Sequence, residues 1–584
     1  MSADRPNVLW ITSEDNSPYL GCYGDPLAKT PNLDRLAEQG VRYHNAFANA
    51  PVCSVARTTL ITGMYASSIG GHNHRSNVAM PPQFKLYVEL LMAAGYHCTN
   101  NSKTDYNFPS KQKAWNESNN KASYDSRQPN QRFFAVHNLT SSHESQVEAK
   151  SSKSEFRIAP EQIQLPPYHP DTPVIRRDWA NYYDQITLMD QQVGELLAKL
   201  ERDGLASDTI VFYYSDHGGA LPRGKRNIHD SGTRVPLILK FPDKWSHLSP
   251  TSTGEWVSDL VSFVDLPASL LSICNVPIPE HYHGRPFLGA AKGARRDHVF
   301  LYRGRMDERY DTVRAVRDGE FRYVRNYSPH RPYGQHYSYP FKVLPSMKSW
   351  HDEFLSGRCN EAQASYWRAK PAEEFYSISE DPFELSNLIA DPQYSEAIER
   401  MRKMLRKDIL GTRDTGFIPE GMVERLAGTK TIYDYAQRKD YALEQIVKLA
   451  DLASDGNPRN LQILLDALDS PDSILRYWAA TGCLILKDQS KSTVSKLKAL
   501  LSDDCLDVRV IAAETVGLQG EAEAAVKAIN EVLAVGNPYE SLAALNALDV
   551  LRMAGVISLE QAQEMVRNLK LAEPADRIAQ NILN

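Results

Sequence analysis

Acidic side chains follow two short apolar segments, each at the point where a buried strand would end. Glu14 and Asp15 come shortly after the run NVLWIT, and Asp216, with His217 next to it, follows TIVFYYS. On its own, an acidic pair at the end of a strand is an ordinary solvated feature. Together, three carboxylates offer hard oxygen ligands, which suit Ca²⁺ or Mg²⁺ better than a soft metal.

Positively charged side chains and one histidine occupy comparable places in the chain. Arg57, Lys103 and Lys225 supply three positive charges, and Lys103, Lys225 and His143 each lie just past an apolar run. A divalent cation and three cationic side chains would form a pocket for a tetrahedral oxyanion. A nucleophile at Cys53 could face that anion, and His143 could protonate a leaving oxygen.

The segment APVCSVARTTLITG places Cys53 four residues before Arg57 at the expected start of a helix. Backbone N–H groups at a helix N-terminus favour anions. The residues alone leave three alternatives for Cys53: a buried structural thiol, a nucleophile, or the precursor of a modified residue.

Alternating strand and helix patterns position these side chains. In TPNLDRLAEQG, Thr30 is the expected cap, Pro31 the first helical residue and Gly40 the stop. The alternation continues to RVPLILKFP and predicts an α/β sandwich with a mostly parallel sheet. Because ligands gather beyond the carboxyl ends of such strands, we expect the suggestive residues to converge at one edge.

Two further regions follow. We predict a catalytic α/β domain over residues 1–305 and a smaller α+β subdomain with an antiparallel sheet over 306–430, with a hairpin around Asp318 and Gly319. Residues 431–584 are predicted to form a succession of short helices. The spacings of 33 residues from Arg476 to Arg509 and 31 from Ala512 to Ala543 predict a HEAT-like solenoid, with a generic bundle as the alternative. We expect this tail to serve packing, homo-oligomerisation or partner contact.

Composition excludes several classes. The 584-residue chain carries a net charge of −6, which argues against bulk nucleic-acid binding. Its seven cysteines show neither a disulfide framework nor metal-type pairs. We expect no membrane span, and the start shows no signal peptide. Location stays open: cytoplasmic as the sequence stands, periplasmic or secreted if a leader has been removed.

Ordered motifs over roughly residues 5 to 400 resemble the formylglycine-dependent sulfatases of the alkaline-phosphatase-like superfamily. The long Tyr- and Arg-containing segment before EEFYSISEDP, and the position of His143, are most similar to the heparan N-sulfatase branch. The motifs are NVLWITSEDN, TPNLDRLAEQGVRYHNAF, CSVARTTLITGMY, NSKTDYN, FFAVHNLTSSH, YYSDHGG, GKRNIHDSGTRVPLI and EEFYSISEDPFELSNL.

The resemblance implies an alkaline-phosphatase-like α/β/α sandwich and a specific fate for Cys53. A formylglycine-generating enzyme would oxidise Cys53 to formylglycine, an aldehyde that hydrates to a gem-diol. One hydroxyl of the diol attacks sulfur, and the other loses its proton as sulfate is expelled and the aldehyde re-forms. A thiol has no second hydroxyl with which to complete that last step.

The resemblance also assigns roles to the other candidates. Arg57 matches the residue that holds the gem-diol, and His143 matches the proton donor to the leaving group. Lys103 and Lys225 match the lysines that grip sulfate oxygens. The positions that match the Ca²⁺ ligands are Glu14, Asp15, Asp216 and His217, and Mg²⁺ is the alternative ion.

Five positions depart from the family pattern. Val55 stands where Pro or Ala is usual, and its bulk could slow oxidation of Cys53. Glu14 replaces the common Asp, and His217 replaces Asn with a less hard nitrogen donor, which could instead hydrogen-bond near the ion. Asp105 stands where a His is common, and His229 where a Tyr is common.

Residues outside the sulfate pocket should select the substrate. Arg, His and Tyr suit a sulfated sugar, although an ordinary polar domain interface is the alternative. We expect an O-sulfated oligo- or polysaccharide of algal or glycosaminoglycan type, with N-sulfamate hydrolysis a close second. Rivals are a phosphonate or phosphate ester hydrolase and a non-catalytic binding protein. The candidate substrate contacts are His72, His74, Arg75, Asp105, His229, Arg325, His330, Arg331, Tyr333 and His336.

Overall fold

The computed structural model describes residues 4–109, 114–149 and 155–583 of the chain. Within these residues a nine-stranded sheet runs in the order β4-β3-β5-β1-β6-β8-β2-β7, with β9 paired to β2. Its strands are β1 (Asn7–Ser13), β2 (Val41–Phe47), β3 (His97–Asn101), β4 (Glu117–Ser118), β5 (Phe133–Leu139), β6 (Thr209–Ser215), β7 (Arg234–Val235), β8 (Leu237–Lys240) and β9 (Trp256–Ser262).

Strand β1 lies between two parallel neighbours. Ser13 at its end is opposite Leu139 of β5 and Ser215 of β6. The loops after these three strands therefore leave the same edge of the sheet. The predicted mostly parallel sheet is confirmed, and β8 is antiparallel to both β6 and β2.

Helices cover both faces of the sheet, which explains the apolar run of β1. Leu9 and Ile11 pack with Leu33 and Ile186 on one face, while Val8 and Trp10 belong to the core on the other. Such burial on both faces is typical of central parallel strands. The helices of this region are α1 (Pro31–Glu38), α2 (Cys53–Thr62), α3 (Tyr87–Ala93), α4 (Ser145–Ala149), α5 (Pro173–Arg202), α6 (Asp230–Thr233) and α7 (Asp265–Ile273).

A second, four-stranded antiparallel sheet has the order β10-β11-β12-β13. Its strands are β10 (Val299–Arg303), β11 (Val313–Arg317), β12 (Phe321–Asn326) and β13 (Glu373–Ser377). The predicted hairpin is present, and Asp318 Oδ1 accepts hydrogen bonds from the backbone N–H groups of Glu320 and Phe321 in its turn. The sheet begins at Val299, ahead of residue 306. The accompanying helices are α8 (Ser338–Val343), α9 (Pro345–Leu355), α10 (Glu361–Ser365) and α11 (Ser395–Gly411).

The C-terminal part is helical. Along it, α14 packs on α16, α16 on α18, α18 on α20 and α20 on α22. In the described part of the chain, no helix is both long and apolar enough to span a membrane. The helices are α12 (Val423–Ala427), α13 (Ile432–Ala436), α14 (Leu443–Ser454), α15 (Leu461–Ala467), α16 (Ser473–Leu486), α17 (Val494–Ala499), α18 (Leu506–Leu518), α19 (Ala522–Val535), α20 (Pro538–Met553), α21 (Leu559–Val566) and α22 (Ala575–Leu583).

Candidate active site

Three carboxylates converge at the edge formed by β1 and β6. Glu14 and Asp15 follow β1, Asp216 follows β6, and the backbone N–H of Asp15 donates to Asp216 Oδ1 at 3.1 Å. Asp15 has a φ of 51°, a region that non-glycine residues rarely occupy. The Asp15 carboxylate is also held by the backbone N–H of Glu144, which donates to Asp15 Oδ2 at 2.8 Å. All three carboxylates are at most 1% exposed.

Arg57 joins two of these carboxylates. Its Nε donates to Asp216 Oδ2 at 3.1 Å, and its Nη2 lies 3.4 Å from Glu14 Oε1. Nη1 donates to Asn138 Oδ1 at 2.5 Å, which places the end of β5 in the same cluster. Arg57 lies one turn after Cys53 in α2, so the two side chains share a helix face.

The two lysines contact different carboxylates of the cluster. Lys103 Nζ is 3.0 Å from Glu14 Oε1. Lys225 Nζ donates to Asp15 Oδ1 and Oδ2 at 3.0 and 2.9 Å, and it lies 3.1 Å from His143 Nε2. The other ring nitrogen of His143, Nδ1, is 2.9 Å from the Ser145 hydroxyl, which orients the ring.

Cys53 is the first residue of α2 and is 2% exposed. Its Sγ lies 3.3 Å from His217 Nε2 and 3.9 Å from Asp15 Oδ1. Burial raises the pKa of the Cys53 thiol, but Lys103 and Lys225 outweigh burial and bring that pKa down to about 5. The local electrostatics therefore favour an anion at this position.

The acidic cluster fits a hard divalent cation. Ligand atoms of Asp15, Cys53, Asp216 and His217 all lie within 4.8 Å of one another, as do those of Glu14, Asp15 and His143. Burial raises the pKa of Glu14 even though Lys103 and Arg57 oppose the shift. Buried carboxylates this close together need positive charge between them, and oxygen donors suit Ca²⁺ or Mg²⁺.

The nitrogen of His217 that faces the cluster is a possible ligand. His217 Nδ1 is 3.0 Å from the carbonyl oxygen of Gly218, so Nδ1 donates there and Nε2 carries the lone pair in the neutral ring. Nε2 lies 3.0 Å from Asp15 Oδ1. Against the opposing effect of burial, Asp216, Cys53 and Asp15 raise the pKa of His217 to about 10, so without an ion Nε2 is protonated and donates to Asp15. An ion bound here would take the place of that proton, and imidazole nitrogen is a common metal ligand.

Three charged residues that the sequence did not single out form a network beside Lys225. Glu144 Oε1 is 3.0 Å from Lys225 Nζ, and Arg226 makes two contacts to the Glu144 carboxylate at 2.7 and 2.9 Å. Arg226 Nε then donates to Asp307 Oδ2 at 2.5 Å. These residues lie in loops, where only the adjacency of Glu144 to His143 and of Arg226 to Lys225 could have drawn attention to them.

Three candidate substrate contacts border the cluster. Arg75, whose side chain is 58% exposed, lies 3.4 Å from Asp105 Oδ1, and Lys103 Nζ is 3.9 Å from Asp105 Oδ2. His74 Nδ1 is 3.2 Å from Asp307 Oδ1. Arg75 and Asp105 therefore form a charged rim next to Lys103, whereas His74 is buried. His72, from the same segment, is buried and lines a cavity between the second sheet and the helical tail.

The remaining candidates have partners in the second sheet and the tail. His229 packs against Tyr333 with ring centroids 5.1 Å apart, and the Tyr333 hydroxyl donates to Glu374 at 2.9 Å. Arg325 contacts Asp455 at 2.8 Å and Arg331 contacts Glu514 at 2.6 Å. These ion pairs form a polar interface between the second sheet and the tail.

Two more histidines of that segment lie away from the acidic cluster. His330 lines the cavity between the second sheet and the tail. His336 packs on Phe341, with ring centroids 4.3 Å apart.

The fold is a mostly parallel α/β sandwich, with a buried cluster of acidic and cationic side chains at the carboxyl ends of β1, β5 and β6. The Sulfatase family profile matches residues 6–276. An ulvan-active sulfatase of Formosa agariphila is 37% identical over 464 residues, covering 71% of this chain and 77% of that protein. The chain belongs to the sulfatase family.

More distant relatives agree with this assignment. The human N-sulphoglucosamine sulphohydrolase is 26% identical over 487 residues, covering 72% of this chain and 93% of the human protein. The structure of BT4656 in complex with its substrate D-glucosamine-2-N,6-O-disulfate superposes with a TM-score of 0.53 at 15% identity, covering 71% of this chain and 99% of that chain. This last match supports the fold.

Proposed function

We propose that this protein hydrolyses sulfate esters of a sulfated carbohydrate through a formylglycine made from Cys53 and a bound divalent cation. The observation that carries the proposal is the position of Cys53. Its sulfur lies 3.3 Å from His217 Nε2 and 3.9 Å from Asp15 Oδ1, at the N-terminus of α2. Arg57, one turn later, together with Lys103 and Lys225, would supply the positive charge that a sulfate group needs.

The metal-binding residues would be Glu14, Asp15, Asp216 and His217, with Ca²⁺ preferred and Mg²⁺ as the alternative. They come from two neighbouring groups of potential ligands that share Asp15. When bound, the ion would neutralise charge on a sulfate oxygen and on the nucleophile. Arg57 would keep the Glu14 and Asp216 carboxylates in position, because it contacts both. Asp15 would bind the ion and would also orient Lys225, whose Nζ donates to both of its carboxylate oxygens.

Lys103 and Lys225 would bind non-bridging sulfate oxygens. His143 would donate a proton to the leaving oxygen from Nε2, which lies 3.1 Å from Lys225 Nζ. The contact between its Nδ1 and Ser145 keeps the ring in place. Charge moves to the leaving oxygen as the S–O bond breaks, so fixed donors at this point stabilise the transition state.

The substrate class rests on the relatives and on the rim. The two relatives are named for ulvan and for N-sulphoglucosamine, both carbohydrates. Arg75 and Asp105 offer a charged, partly exposed rim suited to a polar sugar, with the buried His74 beneath it. The second candidate is an N-sulfamate hydrolase, which the 93% coverage of the human N-sulphoglucosamine sulphohydrolase favours.

We also propose three domains over residues 1–305, 306–430 and 431–584, with the last a HEAT-like array that could support homo-oligomerisation. The maturation partner would be a formylglycine-generating enzyme. The packing of successive tail helices on one another supports treating the tail as one unit, whereas β10 pairs with β11 across the boundary at residue 305, so the second sheet draws on both sides of it.

Two experiments test the proposal. Mass spectrometry of the peptide that contains Cys53 should find a CHO side chain in place of CH₂SH; fully unmodified Cys53 would instead support a binding protein. Calcium-loaded protein should then release sulfate from defined O-sulfated oligosaccharides, with N-sulfated ones compared in parallel. Faster turnover of an aryl phosphate or phosphonate than of the matched aryl sulfate would contradict the proposal.

A further inference from the structure

A chain of alternating charges connects the last helix of the tail to the lysine beside Asp15. Arg577 of α22 lies 3.4 Å from Asp307 Oδ1. Asp307 binds Arg226, Arg226 binds Glu144, and Glu144 binds Lys225 at 3.0 Å. Each neighbouring pair has opposite charge, and each of the intervening residues contacts both of its neighbours.

We infer that Arg577 is a positioning residue for Lys225, acting through Asp307, Arg226 and Glu144. This inference rests on the proposed role of Lys225 in binding sulfate. It gives the helical tail a part in the reaction, beyond the packing expected from its sequence.

Competition for shared partners explains why the loss of Arg577 should weaken sulfate binding by Lys225. Asp307 is 3% exposed and is shared by Arg226, His74 and Arg577. Without Arg577, the Asp307 carboxylate attracts Arg226 more strongly and weakens its hold on Glu144. Glu144 then attracts Lys225 more strongly, which draws the ammonium group away from Asp15 and from a bound sulfate.

The position of α22 does not depend on Arg577. Ala575, Ile578, Ala579 and Ile582 are all at most 3% exposed and anchor the helix in the core. Asn581 adds a second link, since its Nδ2 donates to the Ser338 hydroxyl at 2.7 Å. An Arg577→Ala variant should therefore fold with α22 in place.

The chain offers a matched control. Arg577 Nη2 also contacts Glu573 Oε2 at 2.7 Å, and the Glu573 side chain is 69% exposed. Glu573→Gln removes this ion pair of the same arginine and leaves the contact to Asp307. Arg577→Lys keeps the positive charge and tests rescue.

The experiment measures the Kd of inorganic sulfate by calorimetry on the full-length, calcium-loaded protein. Arg577→Ala should weaken binding by roughly 3- to 10-fold, whereas Arg577→Lys should recover most of the affinity and Glu573→Gln should match the wild type. Thermal midpoints of all variants check that they are folded.

A double-mutant cycle separates coupling from a general structural effect. If Arg577 acts through Glu144, Arg577→Ala should have little further effect in a Glu144→Gln background. An Arg577→Ala variant that binds sulfate like the wild type, or effects that simply add, would overturn the inference alone. A wild-type protein that binds no sulfate would overturn both this inference and the proposed role of Lys225.

Discussion

The sulfur of Cys53 lies 3.3 Å from Nε2 of His217, although 164 residues separate them in the chain. Cys53 begins α2 and His217 follows β6, so the contact brings a helix start and a strand end together. Any modified side chain at position 53 would therefore form directly beside the proposed metal site.

Val55 should limit conversion of Cys53. Val55→Ala places the family's smaller residue in the motif, so we expect a larger fraction of formylglycine after co-expression with the maturation enzyme. The folded protein should lose stability, because Val55 is fully buried and its truncation leaves a cavity costing on the order of 1–3 kcal/mol. Peptide mass spectrometry measures the fraction of Cys53 that is converted, and thermal unfolding measures the loss of stability. An equal fraction in both proteins would contradict the prediction.

Removal of the divalent ion should abolish turnover, and Ca²⁺ should restore it. His217→Asn supplies an amide oxygen, a harder donor, so we expect it to keep or improve calcium affinity. Asp216→Asn removes a charged ligand and should lower that affinity by at least about 10-fold. Calcium titration of chelated protein, followed by calorimetry, compares the variants. Equal affinity of wild type and Asp216→Asn would remove Asp216 from the ligand set.

Lys103 should act in the chemical step. Lys103→Ala should lower kcat for sulfate ester hydrolysis by about 10²–10³, the typical effect of losing one donor to a developing oxyanion. Lys199→Ala is a suitable control, since Lys199 also pairs with a carboxylate, that of Asp203 at 2.6 Å, but on the outer surface of α5. Steady-state kinetics on one O-sulfated saccharide makes the comparison. A loss of less than about threefold in Lys103→Ala would argue against contact with the reacting group.

Asp178 should make stability fall as pH rises. Burial raises the pKa of Asp178 to about 6 in the folded chain, from an ordinary value of 3.8, despite the hydrogen bond from the Ser346 N–H at 2.7 Å. A raised folded-state pKa means that the protonated form is favoured. The contribution of protonated Asp178 to the free energy of unfolding is complete below about pH 4 and is lost as pH rises through about 6.

Asp178→Asn keeps the acceptor for Ser346 and removes this titration. We expect the variant to gain up to roughly 2–3 kcal/mol relative to wild type between pH 4 and pH 7, measured by denaturant unfolding. Asp208→Asn is the control, because Arg132 and Lys244 lower the pKa of Asp208 against the opposing effect of burial. A pH dependence unchanged by Asp178→Asn would contradict the assignment.

Much of the fold could be predicted because burial leaves a direct mark on the sequence. A strand such as β1, covered on both faces, must be apolar throughout, and its polar successors mark the edge where Glu14 and Asp15 lie. The hairpin at Asp318 and Gly319 could also be predicted from the sequence, because turn residues interrupt two alternating segments.

Other parts of the site could not be predicted from residue type. Arg325 and Arg331 resemble ligand contacts in the sequence, yet an arginine pairs equally well with a carboxylate of a neighbouring helix, as both do here. Glu144 and Arg226 lie in loops without periodicity. Their importance depends on the neighbouring strands β5, β1 and β6, an order that the chain does not reveal locally.

The common alignment of β1, β5 and β6 separates the two edges of the sheet. The candidate site residues follow Ser13, Leu139 and Ser215, while the turn that precedes β6 passes through Gly204 at the opposite edge, where a side chain built on it would meet no atom within 4 Å. A reporter peptide grafted at Gly204 would consequently extend a loop on the far side. Asp216 and its neighbours would keep their places, so this turn is a suitable attachment point for labels or fusion partners.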